Sequence, residues 1–239
     1  MTRRSNVAAP VTTSRLLTDW DDLVDATEVI FGVWGTGAAS LASPSLLKTY
    51  AHYGNPIIGA FDGETLCGVS VAFLASDPRV HLHSHITGVT PSHQQLGIGY
   101  QLKMAQRDWC VANGIDLITW TFDPMLARNA YFNLHKLGAH ARRFLPNFYG
   151  SMDDDINRGD ETDRLEAWWP VTESPRPVAR VAQTVAVPDD YLALRARDAA
   201  TAEKERAEVR EQMEAAFAHG LVATDFSRTD GYQFSGSAK

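Results

Sequence analysis

The chain has 239 residues, 44% of them hydrophobic and 21% charged, which is enough to bury one elaborated core or a core with a small appendage. Its formal net charge of -7 argues against a protein whose main task is gripping nucleic acid, and the pair Arg142-Arg143 is too short to reverse that balance. No apolar run approaches the roughly 20 residues of a membrane span, and the opening MTRRSNVAAPVTTS lacks the apolar block of a signal peptide. With only Cys67 and Cys110 as thiols, the expectation is a cytoplasmic protein in a reducing compartment, with no membrane partner.

Residues 1–13 are polar and unpatterned and read as a mobile tail. Thr18 offers a helix N-cap, with Asp19 and Asp21 in the first turn. Trp20, Leu23, Val24, Thr27, Phe31 and Trp34 then recur at helical spacing. A second short helix is expected near Ser45 to His52, capped by Ser43 or Ser45. Asn55 to Phe61 and Thr65 to Ala75 are β-rich runs around the turn Asp62-Gly63-Glu64, so an antiparallel hairpin is predicted. Val80 to Val89 is a third strand, and a helix runs from Leu96 or Gly97 to about Ala112, ended by Asn113-Gly114. Asp116 to Phe122 is a strand, Leu126 to Leu137 a helix stopped by Gly138, and Ala139 to Leu145 and Leu165 to Val171 two more strands around a polar loop, Gly150 to Arg164. The fold class is therefore α/β with a mixed sheet. A proline-containing segment from Pro170 to Pro188 marks the end of this core. Residues 172–239 then read as a C-terminal α/β extension: a charged helix at Ala199 to His219, its charges taken as a solvated face, with strands at Leu221 to Phe226 and Gly231 to Phe234.

The stretch from His81 to Tyr100, HLHSHITGVTPSHQQLGIGY, joins a strand carrying three histidines to a glycine-punctuated loop. Glycines let a backbone approach a ligand closely, and the free amides of a helix N-terminus bind anionic oxygens, so Gln94 to Gly99 suits a pyrophosphate. The segment has neither the Lys-Ser/Thr of a P-loop nor a complete dinucleotide fingerprint. Residues two apart on a strand share a face, so His81, His83 and His85 point the same way; they spread over roughly 13 Å, too far to bind one metal ion together. His81 reads as a satisfied polar side chain. For His83 and His85 a structural role and a proton-relay role stand side by side, since an imidazole titrating near neutrality can take a proton from an amine.

These residues resemble the GNAT superfamily of acyl-CoA-dependent N-acyltransferases. Thr87-Gly88-Val89-Thr90-Pro91 followed by Gln94 to Gly99 is similar to the family's strand end and its Gln/Arg-x-x-Gly-x-Gly/Ala loop, and Ala127 to Gly138 to its helix ending in Leu-Gly. The likeness in order of elements spans residues 14–171 and the motifs themselves lie between Val80 and Gly138. It implies a GNAT-like splayed sheet and acetyl-CoA, or another acyl-CoA, as co-substrate, with no metal. The backbone of Gln94, Gln95, Leu96, Gly97, Ile98, Gly99 and Tyr100 would hold the pyrophosphate, and that of Thr87 to Val89 the pantetheine arm. The Val89 amide would face the thioester carbonyl, and Asn129 and Tyr131 would touch the cofactor. The run His83-Ser84-His85-Ile86-Thr87-Gly88-Val89 is similar to one in serotonin-type arylalkylamine N-acetyltransferases, where a histidine pair relays protons from the amine; His83, six before Val89, is the better candidate. One departure is Leu134, where many relatives carry a tyrosine that protonates the departing thiolate; Tyr131, one turn earlier, is a candidate substitute. The resemblance thus implies an N-acetyltransferase acting on a small-molecule primary amine. The alternative is an acyl-CoA-binding sensor or interaction module without transfer. Trp120-Thr121-Phe122-Asp123 and Asn147-Phe148-Tyr149 read either as an acceptor pocket, with Asp123 attracting an ammonium, or as core and turn residues. A third possibility is an enzyme that uses this scaffold on a different thioester or a protein-borne acceptor, with the C-terminal extension supplying recognition or a homodimer contact.

Overall fold

The computed structural model describes residues 12–35, 42–154, 156–157, 159–172 and 180–236, so most of the expected N-terminal tail lies outside the described residues. The chain forms two compact units, the first made of residues up to Leu74 with Ser84–Asn113, the second of Ala75–His83 with Gly114 onward. The mixed sheet flanked by helices that the periodicities predict is present, with ten strands among the described residues.

In the first unit, β1 (Thr12–Leu16) pairs antiparallel with β2 (Ile57–Asp62), which forms the expected hairpin with β3 (Thr65–Ala75) through a turn at Gly63. The unit also holds the C-terminal part of β4 (His81–Val89), next to β3 in the sheet. β1 carries no hydrophobic alternation that would mark it; it is an edge strand recognised only by its partner. A register shift opposite Ala60 and Phe61 places Cys67 in a bulge, so Cys67 and Val69 pack on opposite faces despite being two apart. One face, with Ile57, Phe61, Val69, Val71 and Ile86, is covered by α1 (Trp20–Trp34) and α2 (Pro44–His52) through Leu23, Ala26, Ile30 and Leu47. The other face, with Ile58, Ala60 and Cys67, is covered by α3 (Ile98–Ala112) through Ile98 and Leu102. The first helix starts one residue later than Thr18 suggested, with Asp19 at its N-cap, while Ser43 caps α2 by accepting a hydrogen bond from the Leu46 amide at 3.3 Å.

In the second unit the order is β4, β5 (Leu117–Phe122), β7 (Arg164–Pro170), β6 (His140–Leu145), β9 (Leu221–Ser227), β10 (Gly231–Gly236), β8 (Val181–Val185). β4 and β5 run parallel over Leu82↔Ile118 and His83↔Thr119, and the other pairs are antiparallel. The segment after Pro170 thus joins the sheet of this unit through Ala141↔Ala223. β8 lies inside the segment from Pro170 to Pro188, where the proline signals suggest only a boundary, and α5 (Tyr191–Arg197) lies between that segment and the expected charged helix. α6 (Ala199–Ala218) packs on β6, β8 and β9 with Ala202, Val209, Met213 and Ala216 buried. The helix expected at Leu126 to Leu137 has two parts: α4 (Ala127–Ala130) and a π turn at Tyr131–Lys136, in which the Leu137 amide donates to the Phe132 carbonyl five residues back at 3.0 Å.

Candidate active site

In the first unit the junction from strand to loop to helix is built as the residues predict. After Val89 the Thr90 amide donates to the Cys67 carbonyl at 2.9 Å, and a 3₁₀ turn at Pro91–His93 leads into an extended Gln94. Gln95 and Gly97 both adopt left-handed backbone, at φ 68 and φ 85 degrees. Left-handed residues so placed before a helix are the backbone pattern of an anion nest. At Gly97 the positive φ itself favours glycine, whereas Gln95 adopts it with a side chain present. The first intrahelical bond is Gln101 N–H to Gly97 C=O at 3.0 Å, so the amides of Ile98, Gly99 and Tyr100 precede the helical ladder, and no side chain caps them. A Cβ placed on Gly97 or Gly99 would meet no atom within 4 Å, whereas one on Gly88 would lie 2.7 Å from the Trp34 ring. The loop glycines therefore leave room for a phosphate approaching the backbone, while Gly88 lets α1 pack on β4. These residues fit the pyrophosphate expected from the sequence.

The loop is tethered by His93, which sequence reasoning overlooked. Its Nδ1 lies 3.0 Å from Thr90 Oγ1 and 2.9 Å from Ser92 Oγ, and its Nε2 lies 3.5 Å from the Asp62 carboxylate at the hairpin tip. Gln94 turns its amide back to the Val89 carbonyl at 3.4 Å. Thr87 sits half-buried, its Oγ1 3.1 Å from Ser70 Oγ, which in turn accepts from Gln106 Nε2 at 2.6 Å. Behind the strand, Lys103 donates to Ser84 Oγ at 2.8 Å, and burial pushes its ammonium down to about 7. His85 also belongs to this unit; its ring lies 5.9 Å from that of Phe73, and burial lowers its pKa. It therefore favours the neutral, proton-accepting form.

His83 belongs to the second unit, where its Nδ1 lies 3.0 Å from Thr119 Oγ1. Cross-strand register puts Thr119 opposite Trp168, and Thr121 opposite Glu166, on the same face. Glu166 accepts 2.8 Å bonds from both Nε and Nη2 of Arg143 and one of 2.7 Å from Trp168 Nε1. Burial alone would raise the Glu166 carboxyl. The hydrogen bonds from Arg143 and Trp168, then the charges of Arg143 and His83, more than offset it and hold the group below the usual range. Thr119 and Glu166 carry no local motif; only strand pairing brings them to His83. His81 is buried, its Nδ1 2.7 Å from the Arg79 carbonyl.

Other candidates are placed elsewhere. Asn129 is exposed on α4, and Tyr131 is half-buried and stacked on His135 with ring centroids 4.6 Å apart. Leu134 is buried at 2% exposure. Asp123 is not available to an ammonium: its carboxylate accepts from Arg206 at 2.9 and 3.4 Å and from the Met125 amide at 2.8 Å. Trp120 and Phe122 are core residues, Trp120 packed edge-on against Trp169 at 6.2 Å, while Thr121 between them meets the Tyr149 hydroxyl at 3.0 Å. Among the described residues, no group of three or more His, Cys, Asp or Glu could hold a metal ion, and no helix is long and apolar enough to cross a membrane.

No protein-family model and no curated protein matches the chain. Solved structures share its fold. A candidate acetyltransferase of the GNAT family from Desulfovibrio desulfuricans superimposes with a TM-score of 0.55 at 16% identity, covering 68% of this chain and 100% of its own. The ribosomal-protein-S18-alanine N-acetyltransferase from Escherichia coli does so with 0.53 at 16% identity, covering 71% and 100%. A candidate acetyltransferase from Salmonella typhimurium, solved with its cofactor acetyl-CoA, gives 0.52 at 16% identity, covering 71% and 99%. The chain has the GNAT fold, and it extends beyond the whole length of these neighbours.

Proposed function

We propose that the chain is an acyl-CoA-dependent N-acyltransferase that moves acetyl from acetyl-CoA to a primary amine of a small molecule by direct attack in a ternary complex. The observation that carries this reading is the glycine loop that delivers the uncapped amides of Ile98 to Tyr100 directly after β4. The shared fold supports it, as does the acetyl-CoA bound by the Salmonella neighbour. Gln94 to Tyr100 anchor the pyrophosphate and Thr87 to Val89 the pantetheine. The amine nitrogen attacks the thioester carbon, and the Val89 amide stabilises the negative oxygen as the tetrahedral centre forms. His83, with His85 as its relay partner, takes the amine proton; its Nδ1 contact with Thr119 orients the ring, and Glu166 stabilises the imidazolium. The C–S bond then breaks and the CoA thiolate takes a proton from Tyr131 or from water, while the His83 imidazolium gives its proton to solvent; Asn129 and Tyr131 lie on the cofactor.

Calorimetry with acetyl-CoA is the first test, and absence of binding at millimolar concentration would sink the reading. Thiol release over a panel of amines follows, with a drop of roughly 10²- to 10⁴-fold expected in kcat/KM for His83→Ala. Unchanged turnover in both His83→Ala and His85→Ala would remove the relay. The buried Leu134, where relatives carry a tyrosine, favours one other reading, a CoA-binding module without transfer. Binding with no turnover on any amine would select it.

A further inference from the structure

The π turn at Tyr131–Lys136 is held from outside by the C-terminal segment. Tyr131 stacks on His135 at 4.6 Å with the rings 23 degrees from parallel; His135 Nδ1 lies 3.1 Å from Asp225 Oδ1 on β9, and the guanidinium carbon of Arg228, just past β9, lies 5.7 Å from the centre of the Tyr131 ring. One phenol ring is thus bracketed by an imidazole and a guanidinium, the imidazole itself tied to a carboxylate. The same segment fixes the start of this helix, since the buried Tyr232 hydroxyl donates to the Pro124 carbonyl at 2.8 Å and Arg206 grips Asp123.

Packing alone does not account for the bracket. His135 and Asp225 have half-exposed side chains and Arg228 is exposed, and ion pairs and cation–π contacts in such positions contribute little to stability. A π turn is a less favourable backbone than the α-helix it interrupts, and such turns recur where a side chain must be aimed. What the three residues do hold is the orientation of Tyr131.

We propose that Arg228 and the His135–Asp225 pair are positioning residues for Tyr131, so that cofactor use depends on the strand β9 segment through one aromatic ring. This inference rests on the acyltransferase reading, in which Tyr131 touches the cofactor. It also gives the C-terminal segment a role inside its own subunit, separate from acceptor recognition or a homodimer contact.

The test is a double-mutant cycle on the full-length protein, read by calorimetric affinity for coenzyme A and by KM for acetyl-CoA against kcat. Arg228→Ala and Asp225→Asn are each expected to weaken coenzyme A binding by roughly three- to tenfold, and Arg228→Lys, which keeps the charge, to recover part of the loss. In a Tyr131→Ala background the same changes should have no further effect, because they act through that ring. Lys204→Met, on the exposed face of α6, should leave both constants unchanged. Losses that add fully in the Tyr131→Ala background, or coenzyme A affinity equal to wild type in Arg228→Ala and Asp225→Asn, would overturn the positioning role while leaving the acyltransferase reading standing. Failure of the wild type to bind coenzyme A would overturn both. Circular dichroism and thermal midpoints identify a variant that fails to fold, and Asp225→Asn, which keeps the side-chain volume, then carries the cycle.

Discussion

The surroundings of α3 and of α6 are stabilised by opposite means. At the start of α3 the chain carries few charges: glycines at 97 and 99 with open space around them, apolar packing of Ile98 and Leu102 beneath, and a single imidazole tether at His93. Around α6, charge is concentrated in the interior. Arg206, 5% exposed, joins Asp123, Asp160 and the Tyr191 hydroxyl; Arg195 also reaches Asp160 at 2.6 Å, and Arg210 reaches Asp163 at 2.6 Å and pairs with Glu161. On the proposed acyltransferase reading, the start of α3 receives an anion and keeps its own backbone donors free, since a carboxylate beside them would compete. Around α6 the polar loop is held by arginines paired with its carboxylates Asp160, Glu161 and Asp163.

The largest effect that would break this contrast is expected at Arg206. Arg206→Met removes the cation shared by two poorly exposed carboxylates, and a loss of about 3–5 kcal/mol is expected from urea unfolding, because Asp123 stays buried with its nearest remaining cation, Arg164, 3.9 Å away, while Asp160 keeps Arg195. A loss below about 1 kcal/mol would show that the network is no more than a surface arrangement.

A somewhat smaller effect, with the opposite sign, is expected from the buried cation of α3, Lys103. The unfolded chain keeps the Lys103 proton up to about 10.5, and the folded chain releases it near 7, so unfolding takes up a proton between those values and stability rises with pH. The rise is roughly 1.4 kcal/mol per pH unit at most. Lys103→Met should flatten this slope, and the wild-type-minus-variant difference across pH 7 to 10 isolates it from other titrating groups. A difference independent of pH would refute the assignment.

The smallest expected effect sharpens the apolar side of the comparison. Gly88→Ala places a methyl 2.7 Å from the Trp34 ring, and about 1–3 kcal/mol of destabilisation is expected from overpacking, read as a shift in the urea midpoint with unchanged slope.

How far each region could be read from residues alone follows the same division. The hairpin at Asp62-Gly63-Glu64, the loop from Gln94 to Gly99 and the helix start at Ile98 were legible because their signals are local: a turn dipeptide, glycines where φ is positive, apolar residues at one period. The mixed sheet followed from the alternation of such elements. The ionic network was not legible, because the segment Gly150 to Arg164 has the composition of a solvated loop and its arginines come from helices 35 to 49 residues later. By sequence Arg206 belongs to a solvated face for the same reason; helical charge periodicity does not tell which carboxylates fold under it. Asp123 shows the cost: as a residue it suits an ammonium, as a neighbour of Arg206 it does not. His83 was found from its place on a strand, whereas Thr119 and Glu166 needed the register of β5 and β7. Edge strands β1 and β8, five residues each, lack the length for a period to show.

The π turn at Tyr131–Lys136 bears on how this chain tolerates changes in length. A π turn carries about one residue more than an α-helix needs over the same span. Deleting one residue between Tyr131 and His135 would return this span to a regular α-helix with its two ends still in phase, because the widened turn already absorbs the extra residue. Tyr131 and His135 would then stand three apart instead of four and remain neighbours on one helix face. The turn is thus a place where the chain can lose a residue without losing the helix.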